Sequence, residues 1–179
     1  MKRIIIISSS LRAGSNSEIL ARSFEKGATD SGNTVQYISL KNKHIEFCKG
    51  CLACQKNHRC VIKDDVEEII NEVKKSDVVV FSTPIYYYEM SGLLKTLLDR
   101  MNPIYGSDYR FREVYVIATA ADEDNHAFDR AYNGISGWVE CFEDVELKGI
   151  IRGGGISEPL EANKHQDKIK ESYDLGRSI

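Results

Sequence analysis

The sequence lacks the features of a membrane, a secreted or a nucleic-acid-binding protein. Strongly apolar runs such as residues 4–7 and 78–81 are far shorter than the roughly 20 residues that a membrane-spanning helix needs. The net charge is -3 and no stripe of lysine and arginine is present, so we expect no nucleic-acid partner. No signal-peptide pattern begins the chain. We therefore expect a cytoplasmic protein, in which cysteines act as thiols, metal ligands or redox groups.

Internal repeats, low-complexity tracts and linkers are also missing, so we expect residues 1–179 to form a single domain. Short β-branched segments alternate with segments whose apolar residues recur at helical spacing. The predicted strands are residues 3–7, 34–40, 78–81, 114–118 and 145–151. Helices are predicted to begin near residues 15–17, after residues 64–65, near residue 93, near residue 128 and after a Ser157 cap. This alternation predicts a parallel α/β sheet covered on both faces, with ligands at the carboxyl ends of its strands.

The loop after the first predicted strand, residues 8–17, combines hydroxyl, guanidinium and amide side chains with a glycine. It lies where a strand leads into a helix, and backbone N–H groups at the start of a helix bind phosphate. The candidate phosphate ligands are Ser10, Arg12, Asn16 and Ser17. The alternative is a polar helix cap without a ligand. The loop has neither a Walker motif nor a Gly-x-Gly-x-x-Gly fingerprint, which favours a mononucleotide such as FMN.

Two further loops leave the carboxyl ends of predicted strands. Residues 82–92 contain Pro84 and three successive tyrosines, and aromatic faces beside backbone amides suit a flat ring with polar edges. Packing of these tyrosines against the next helix is the alternative. Residues 119–125 begin with small side chains, which would let a ring approach closely, and continue with acids that are most simply a solvated edge. We expect the three loops to meet in one crevice.

In combination, these loops resemble the NADPH-dependent FMN reductase family. The resemblance rests on Ile-Ser-Ser-Ser-Leu-Arg-x-x-Ser-Asn-Ser at residues 7–17, Thr-Pro-Ile-Tyr at 83–86 and Leu-Lys-x-x-x-Asp-Arg at 94–100. It implies a flavodoxin-like three-layer sandwich with five parallel strands in the order 2-1-3-4-5. Ser9 departs from the family, which usually has glycine there, and so do Ala120 and Ala121.

The resemblance also implies which residues bind FMN. The phosphate would lie at the four candidate ligands named above, and the ring at Pro84, Ile85, Tyr86 and Tyr87. Neighbouring polar and small residues of the three loops complete the set. The candidate FMN-binding residues are Ser8, Ser10, Arg12, Ser15, Asn16, Ser17, Thr83, Pro84, Ile85, Tyr86, Tyr87, Thr119 and Ala120.

Four of the five cysteines form the pattern Cys-x2-Cys-x2-Cys-x5-Cys, at Cys48, Cys51, Cys54 and Cys60. Thiolates with this spacing can hold a compact [4Fe-4S] cluster, whereas structural zinc sites usually separate two Cys-x2-Cys pairs by a longer loop. The pattern resembles the iron-sulfur flavoproteins, a branch of the same family in which such a cluster exchanges electrons with FMN. Free thiols, a thiol pair and bound zinc are the alternatives. The fifth cysteine, Cys141, is predicted to lie in the core.

The resemblance implies an oxidoreductase with FMN as cofactor and NADH or NADPH as transient co-substrate. We expect electrons to pass on to a flavin, a quinone or a similar small acceptor. One rival interpretation is an iron-sulfur flavoprotein that carries electrons from ferredoxin, and another is a module that binds FMN without turnover. The resemblance also implies a homodimer or a higher homo-oligomer, because sites in this family are often built at subunit interfaces.

Overall fold

In the computed structural model, which describes residues 1–179, a parallel sheet forms the centre of the molecule. Its strands are β1 (Arg3–Ser8), β2 (Thr34–Ser39), β3 (Val78–Tyr86), the two-residue β4 (Glu89–Met90), β5 (Glu113–Thr119) and β6 (Glu146–Gly153). The order β2-β1-β3-β5-β6 is 2-1-3-4-5 when only the parallel strands are counted. The predicted flavodoxin-like topology is therefore confirmed. The additional strand, β4, pairs antiparallel with the end of β3.

Six α-helices accompany the sheet: α1 (Asn16–Asp30), α2 (Cys54–Asn57), α3 (Val66–Lys75), α4 (Gly92–Arg100), α5 (Asp129–Val139) and α6 (Gln166–Arg177). Short 3-10 helices span Asn102–Ile104, Asn125–Phe128 and Glu161–Lys164. Helices α3, α4 and α5 contribute to the larger hydrophobic cluster on one face, and α1 contributes to the smaller cluster on the other. None of the helices combines the length and the apolar character needed to cross a bilayer.

Strand β1 is buried on both faces because its four isoleucines alternate between the two clusters. Ile5 and Ile7 belong to the larger cluster, Ile4 and Ile6 belong to the smaller one, and all four are fully buried. Branched side chains at these four successive positions favour the extended backbone and fill both sides of the sheet. This central strand leads directly into the loop of residues 8–17.

Helix α6 packs tightly against α1 through two glycines. A Cβ atom on Gly27 would lie 2.0 Å from the carbonyl oxygen of Tyr173, and one on Gly176 would lie 2.1 Å from that of Phe24. The Ser172 hydroxyl also donates to the backbone carbonyl of Leu20, at 2.7 Å. Because the two backbones touch, the C-terminal helix braces the helix that starts at the first loop.

Two boundaries predicted from the sequence are wrong. Residues 82–86 were expected in a loop but continue β3, where Ser82 pairs with Ser8 of β1 and Thr83 pairs with Ala118 of β5. Polar side chains can extend this buried strand because their hydroxyl groups are hydrogen-bonded inside the protein. Ser157 does not cap the last helix, which begins at Gln166, and a 3-10 turn intervenes.

Candidate functional site

The three segments that were predicted to form the site meet in an open cleft of about 230 Å³ at the carboxyl ends of the parallel strands. This position is the one at which sheets of this strand order bind their ligands. The residues lining the cleft are Ser10, Arg12, Ser15, Asn16, Pro84, Ile85, Tyr86, Thr119, Ala120, Ala121, Ile156 and Ser157. Nine of the thirteen candidate FMN-binding residues are therefore at the cleft, and they come from the first loop, the end of β3 and the end of β5.

The start of α1 provides hydrogen-bond donors at one end of the cleft. Ser15 is the N-cap, and its Oγ accepts from the backbone N–H of Glu18 at 3.3 Å. The backbone N–H groups of Asn16 and Ser17 have no hydrogen-bond partner within the chain. Together with the helix dipole, these free donors make the start of α1 a suitable place for an anion. Arg12 adds an exposed guanidinium to the same wall.

Four of the candidate residues lie away from the cleft wall. Ser8 is buried in the sheet between β2 and β3, and the Ser17 hydroxyl is buried and lies 3.1 Å from that of Ser15. Thr83 is also buried, where its hydroxyl accepts from the backbone N–H of Ser91 at 3.0 Å. Tyr87 points into solvent, with 97% of its surface exposed. Of these four, only Ser17 brings a backbone group to the start of α1.

A fourth loop, after β6, also forms part of the cleft and was missed from the sequence. It brings Ile156 and Ser157 to the wall, and the carbonyl oxygen of Ser157 accepts from Arg12 Nη1. Asn16 fixes the same loop, because its Nδ2 donates to Glu158 O at 2.8 Å and its Oδ1 accepts from Ala162 N at 3.0 Å. The available signal was the three-glycine turn at the end of the fifth parallel strand, which necessarily lies at this edge of the sheet.

A strained hairpin turn borders the cleft on its aromatic side. Tyr86 pairs with Glu89, so Tyr87 and Tyr88 form a two-residue turn in which both have positive φ, 51° and 65°. Such turns normally contain glycine or asparagine, and each bulky residue there costs about 1–3 kcal/mol. The Tyr88 hydroxyl lies 3.3 Å from Asp122 Oδ2 and thereby links this turn to the loop after β5.

Buried hydroxyl groups connect the first loop to the start of α4. Ser9 Oγ donates to the carbonyl oxygen of Ser82 at 3.1 Å and accepts from Ser91 Oγ at 2.8 Å. Ser91 is also the N-cap of α4, since its Oγ accepts from Leu94 N at 3.3 Å. Ser9 therefore has a structural role at a position where the family usually has glycine, and it does not line the cleft.

The four patterned cysteines lie together around a second cavity, of about 340 Å³, outside the sheet. Cys48 and Cys51 are exposed, Cys54 and Cys60 are half-buried, and all four are free thiols in this structure. No three His, Cys, Asp or Glu side chains converge on a single point where one metal ion would bind. A [4Fe-4S] cluster does not require such convergence, because each cysteine binds a different iron. The prediction for Cys141 is wrong, because this residue is exposed just beyond the end of α5.

A buried ion pair fixes the base of the cysteine loop. Arg100 Nη1 and Nη2 donate to the two carboxylate oxygens of Asp64 at 2.7 and 2.9 Å, and the two side chains are 1% and 0% exposed. Burial alone would raise the pKa of Asp64, but hydrogen bonds from Arg100 and from the backbone N–H groups of Glu46 and Val66 outweigh it and lower that pKa. Arg100 Nη1 also donates to the carbonyl oxygen of Glu46, at 2.6 Å. The pair therefore joins the residues that precede and follow the four cysteines.

The strand order and the donor-rich cleft at the switch point define a flavodoxin-like α/β protein of the class that binds mononucleotides. Residues 2–131 match the sequence profile of the NADPH-dependent FMN reductases, and the chain belongs to this family. It is 30% identical to YwqN of Bacillus subtilis, provisionally named an NAD(P)H-dependent FMN-containing oxidoreductase, and the match covers 98% of each chain. The family predicted from the sequence is confirmed.

The chain also resembles an iron-sulfur flavoprotein in sequence and an FMN-bound azoreductase in structure. An iron-sulfur flavoprotein of Methanocaldococcus jannaschii is 34% identical over 102 residues, which are 57% of this chain and 53% of that protein. The chain thus matches only about half the length of this relative. The solved structure of an FMN-dependent NADH-azoreductase from Bacillus anthracis in complex with FMN superposes with a TM-score of 0.70 and 17% identity, covering 99% of both chains. At that identity the similarity shows the fold alone.

Proposed function

We propose that residues 1–179 form one FMN-binding domain that acts as an NAD(P)H-dependent oxidoreductase. Its acceptor would be a flavin, a quinone or a similar small molecule. The observation that carries this proposal is the cleft itself, which brings free donors at the start of α1 together with aromatic and small residues at the ends of β3 and β5. The family of the chain and the name of its Bacillus subtilis relative support the same activity.

The phosphate of FMN would bind at the start of α1. The free backbone N–H groups of Asn16 and Ser17 and the hydroxyl of Ser10 would donate to it. The exposed guanidinium of Arg12 would exchange its carbonyl partner in the fourth loop for the phosphate and form charge-assisted hydrogen bonds. The Asn16 side chain is already engaged with that loop, so its contribution would come from the backbone.

The ring would lie over Pro84, Ile85 and Tyr86, with Thr119 and Ala120 at its edge. The cleft volume of about 230 Å³ is below the roughly 300–1,000 Å³ of typical ligand sites, so part of the ring would rest on the exposed tyrosine turn. When bound, FMN supplies the hydride chemistry, and the protein anchors the phosphate and orients the ring. The open side of the cleft would admit the nicotinamide. We place this chemistry in the cytoplasm, where the exposed cysteines would remain reduced.

A second candidate function is an iron-sulfur flavoprotein that receives electrons from a carrier such as ferredoxin. The observation that favours it is the cavity shared by Cys48, Cys51, Cys54 and Cys60, which would hold a [4Fe-4S] cluster. Helix α4 has its N-cap beside the first loop and its last residue beside the cysteine loop. Its nine residues span about 14 Å at 1.5 Å per residue, which would keep the two redox groups close.

Binding of FMN and of riboflavin to the flavin-free chain tests the primary proposal. The two ligands share the ring and differ in the phosphate, so we expect FMN to bind far more tightly than riboflavin. Loaded protein is then assayed with NADH and NADPH, using a quinone as acceptor, and its oligomeric state is measured by light scattering, with a homodimer expected. Equal affinity for FMN and riboflavin would contradict the phosphate site, and FMN binding without turnover would leave only a binding module.

A further inference from the structure

Three cysteine sulfurs of the second cavity have hydrogen-bond donors beside them. Asn102 Nδ2 donates to Cys54 Sγ at 3.0 Å, and the backbone N–H of Gly50 donates to Cys48 Sγ at 3.5 Å. The guanidinium of Arg100 is near enough to the Cys60 thiol to interact with it electrostatically, although Arg100 Nε makes no hydrogen bond to it. Asn102 also lines the cavity itself. Donors pointed at sulfur are the contacts that stabilise thiolates bound to metal.

One nitrogen of the buried Arg100 side chain, Nε, has no hydrogen-bond partner in the chain. Its side chain is 1% exposed, Nη1 and Nη2 are bound to Asp64 and to the carbonyl oxygen of Glu46, and Nε has no hydrogen-bond partner. A buried charged group with an unpaired N–H is costly and calls for a nearby acceptor. Electron-rich sulfur beside the guanidinium would provide such an acceptor.

The same arginine controls the geometry of the cysteine loop. Asp64 accepts from Glu46 N at 2.9 Å while Arg100 holds Glu46 O, so the chain just before Cys48 is fixed to the chain just after Cys60. A second pair of bonds supports this closure, because Asp65 Oδ2 accepts from His44 N and His44 O accepts from Asp65 N. These contacts hold the two ends of the cysteine loop together, and the buried Arg100 side chain is at their centre.

We propose that Arg100 and Asn102 are positioning residues for a [4Fe-4S] cluster held by Cys48, Cys51, Cys54 and Cys60. This inference rests on the second candidate function. Asn102 would hydrogen-bond the cluster ligand Cys54, and Arg100 would place a positive charge beside Cys60 while it closes the loop. Both contacts withdraw negative charge from the cluster and favour its reduced state, which raises its reduction potential. Loss of Arg100 would also loosen the cluster.

The test uses the chain of residues 1–179 after anaerobic reconstitution with ferrous iron and sulfide. Asn102→Ala is compared with Asn71→Ala, a matched control whose side chain is exposed on α3 and makes no hydrogen bond. Iron and labile sulfide per chain are measured, and the cluster midpoint potential is determined by EPR-monitored redox titration. Asn102→Ala should keep the cluster and lower its midpoint potential, whereas the control should match the wild type.

Arg100→Lys provides the second arm, because lysine retains the charge but loses the forked geometry. Loss of iron to a chelator should be about 10- to 100-fold faster than in the wild type, the range for changes to groups that hold metal ligands in place. Circular dichroism and FMN binding check that this variant is folded. Should it fail to fold, the midpoint of Asn102→Ala decides alone.

The inference is overturned if Asn102→Ala has the same midpoint as the control. It is also overturned if the wild-type chain binds FMN but takes up no iron, a result that leaves the flavin proposal standing. Cluster uptake without any FMN binding would instead contradict the flavin proposal and leave the proposed roles of Arg100 and Asn102 standing. Unchanged iron retention in a folded Arg100→Lys variant removes Arg100 from the proposal.

Discussion

Replacing Arg100 with methionine should cost the folded chain a large share of its stability. The guanidinium makes two short bonds to Asp64 and a third to the backbone of Glu46, and neither charged side chain is more than 1% exposed. Removal of one partner leaves the other charge buried and unpaired, which typically costs about 3–5 kcal/mol. Methionine restores much of the buried volume, so the loss reports on charge and hydrogen bonding more than on a cavity.

The expected loss is large compared with the total stability of a domain, which is about 5–15 kcal/mol. For 150–250 residues, each 1 kcal/mol shifts Tm by about 2–4 °C, so Tm should fall by roughly 6–20 °C. Urea titrations and thermal scans on the same preparations measure both quantities. A loss below about 1 kcal/mol would refute the reasoning, because it would place this contact among surface ion pairs.

A double-mutant cycle separates the ion pair from its surroundings. Asp64→Leu and Asp64→Leu/Arg100→Met complete the cycle, and the double variant should recover part of the loss because no buried charge remains. It should stay below the wild type, since Glu46 N and Val66 N lose their acceptor. Purely additive losses would show that the two charges do not interact.

The same pair gives the wild type a defined response to acid. Because the pKa of Asp64 is lowered in the folded protein, its contribution to stability is fully present above the ordinary aspartate value of about 3.9. The contribution is lost as pH falls through the lower folded pKa. The difference in stability between the wild type and Asp64→Leu should therefore shrink in this acid range and stay constant near neutrality.

Three further substitutions test other parts of the account. Arg12→Ala should weaken FMN binding by about 1.5–3 kcal/mol, the range for hydrogen bonds to charged groups, and should leave riboflavin binding unchanged. Equal effects on both ligands would show that Arg12 does not bind the phosphate. Tyr87→Gly should raise stability by up to about 1.5 kcal/mol in urea titrations, since relief of a left-handed residue gains about 1–2 kcal/mol and glycine entropy costs about 0.5–1 kcal/mol. A loss of stability would show that the turn is not strained. Gly27→Ala should destabilise the protein by about 1–3 kcal/mol or more, because its Cβ would clash with the backbone of Tyr173. Gly137→Ala, with open space around it, should be neutral or stabilising. Similar Tm values for the two variants would argue against the close contact between the two helices.

The parallel strands could be predicted from the sequence because their signal is local. Four successive branched apolar residues in β1, Ile4–Ile7, identify a strand buried on both faces. The extension of β3 through Ser82 and Thr83 had no local signal, since these polar residues are stabilised by partners far along the chain. The exposure of Cys141 was also missed, because it depends on where α5 ends.

Only the part of the site that has a local sequence signal could be predicted. The first loop was recognisable because its polar residues lie together in the sequence and directly precede a helix. The role of Ser157 depends on a loop that folds back across 145 residues to reach Arg12. The contact between Asp64 and Arg100 joins positions 36 residues apart, and nothing in either segment alone indicates the partner.

Anaerobic titration of the FMN-loaded chain with NADH and with NADPH tests the central claim most directly. The account predicts that at least one of the two nucleotides bleaches the flavin absorption band, with one nicotinamide oxidised per flavin reduced, and that a quinone restores the band. A chain that does not retain FMN, or whose bound flavin stays oxidised with both nucleotides, would contradict the claim that this cleft is the site of an NAD(P)H-dependent oxidoreductase.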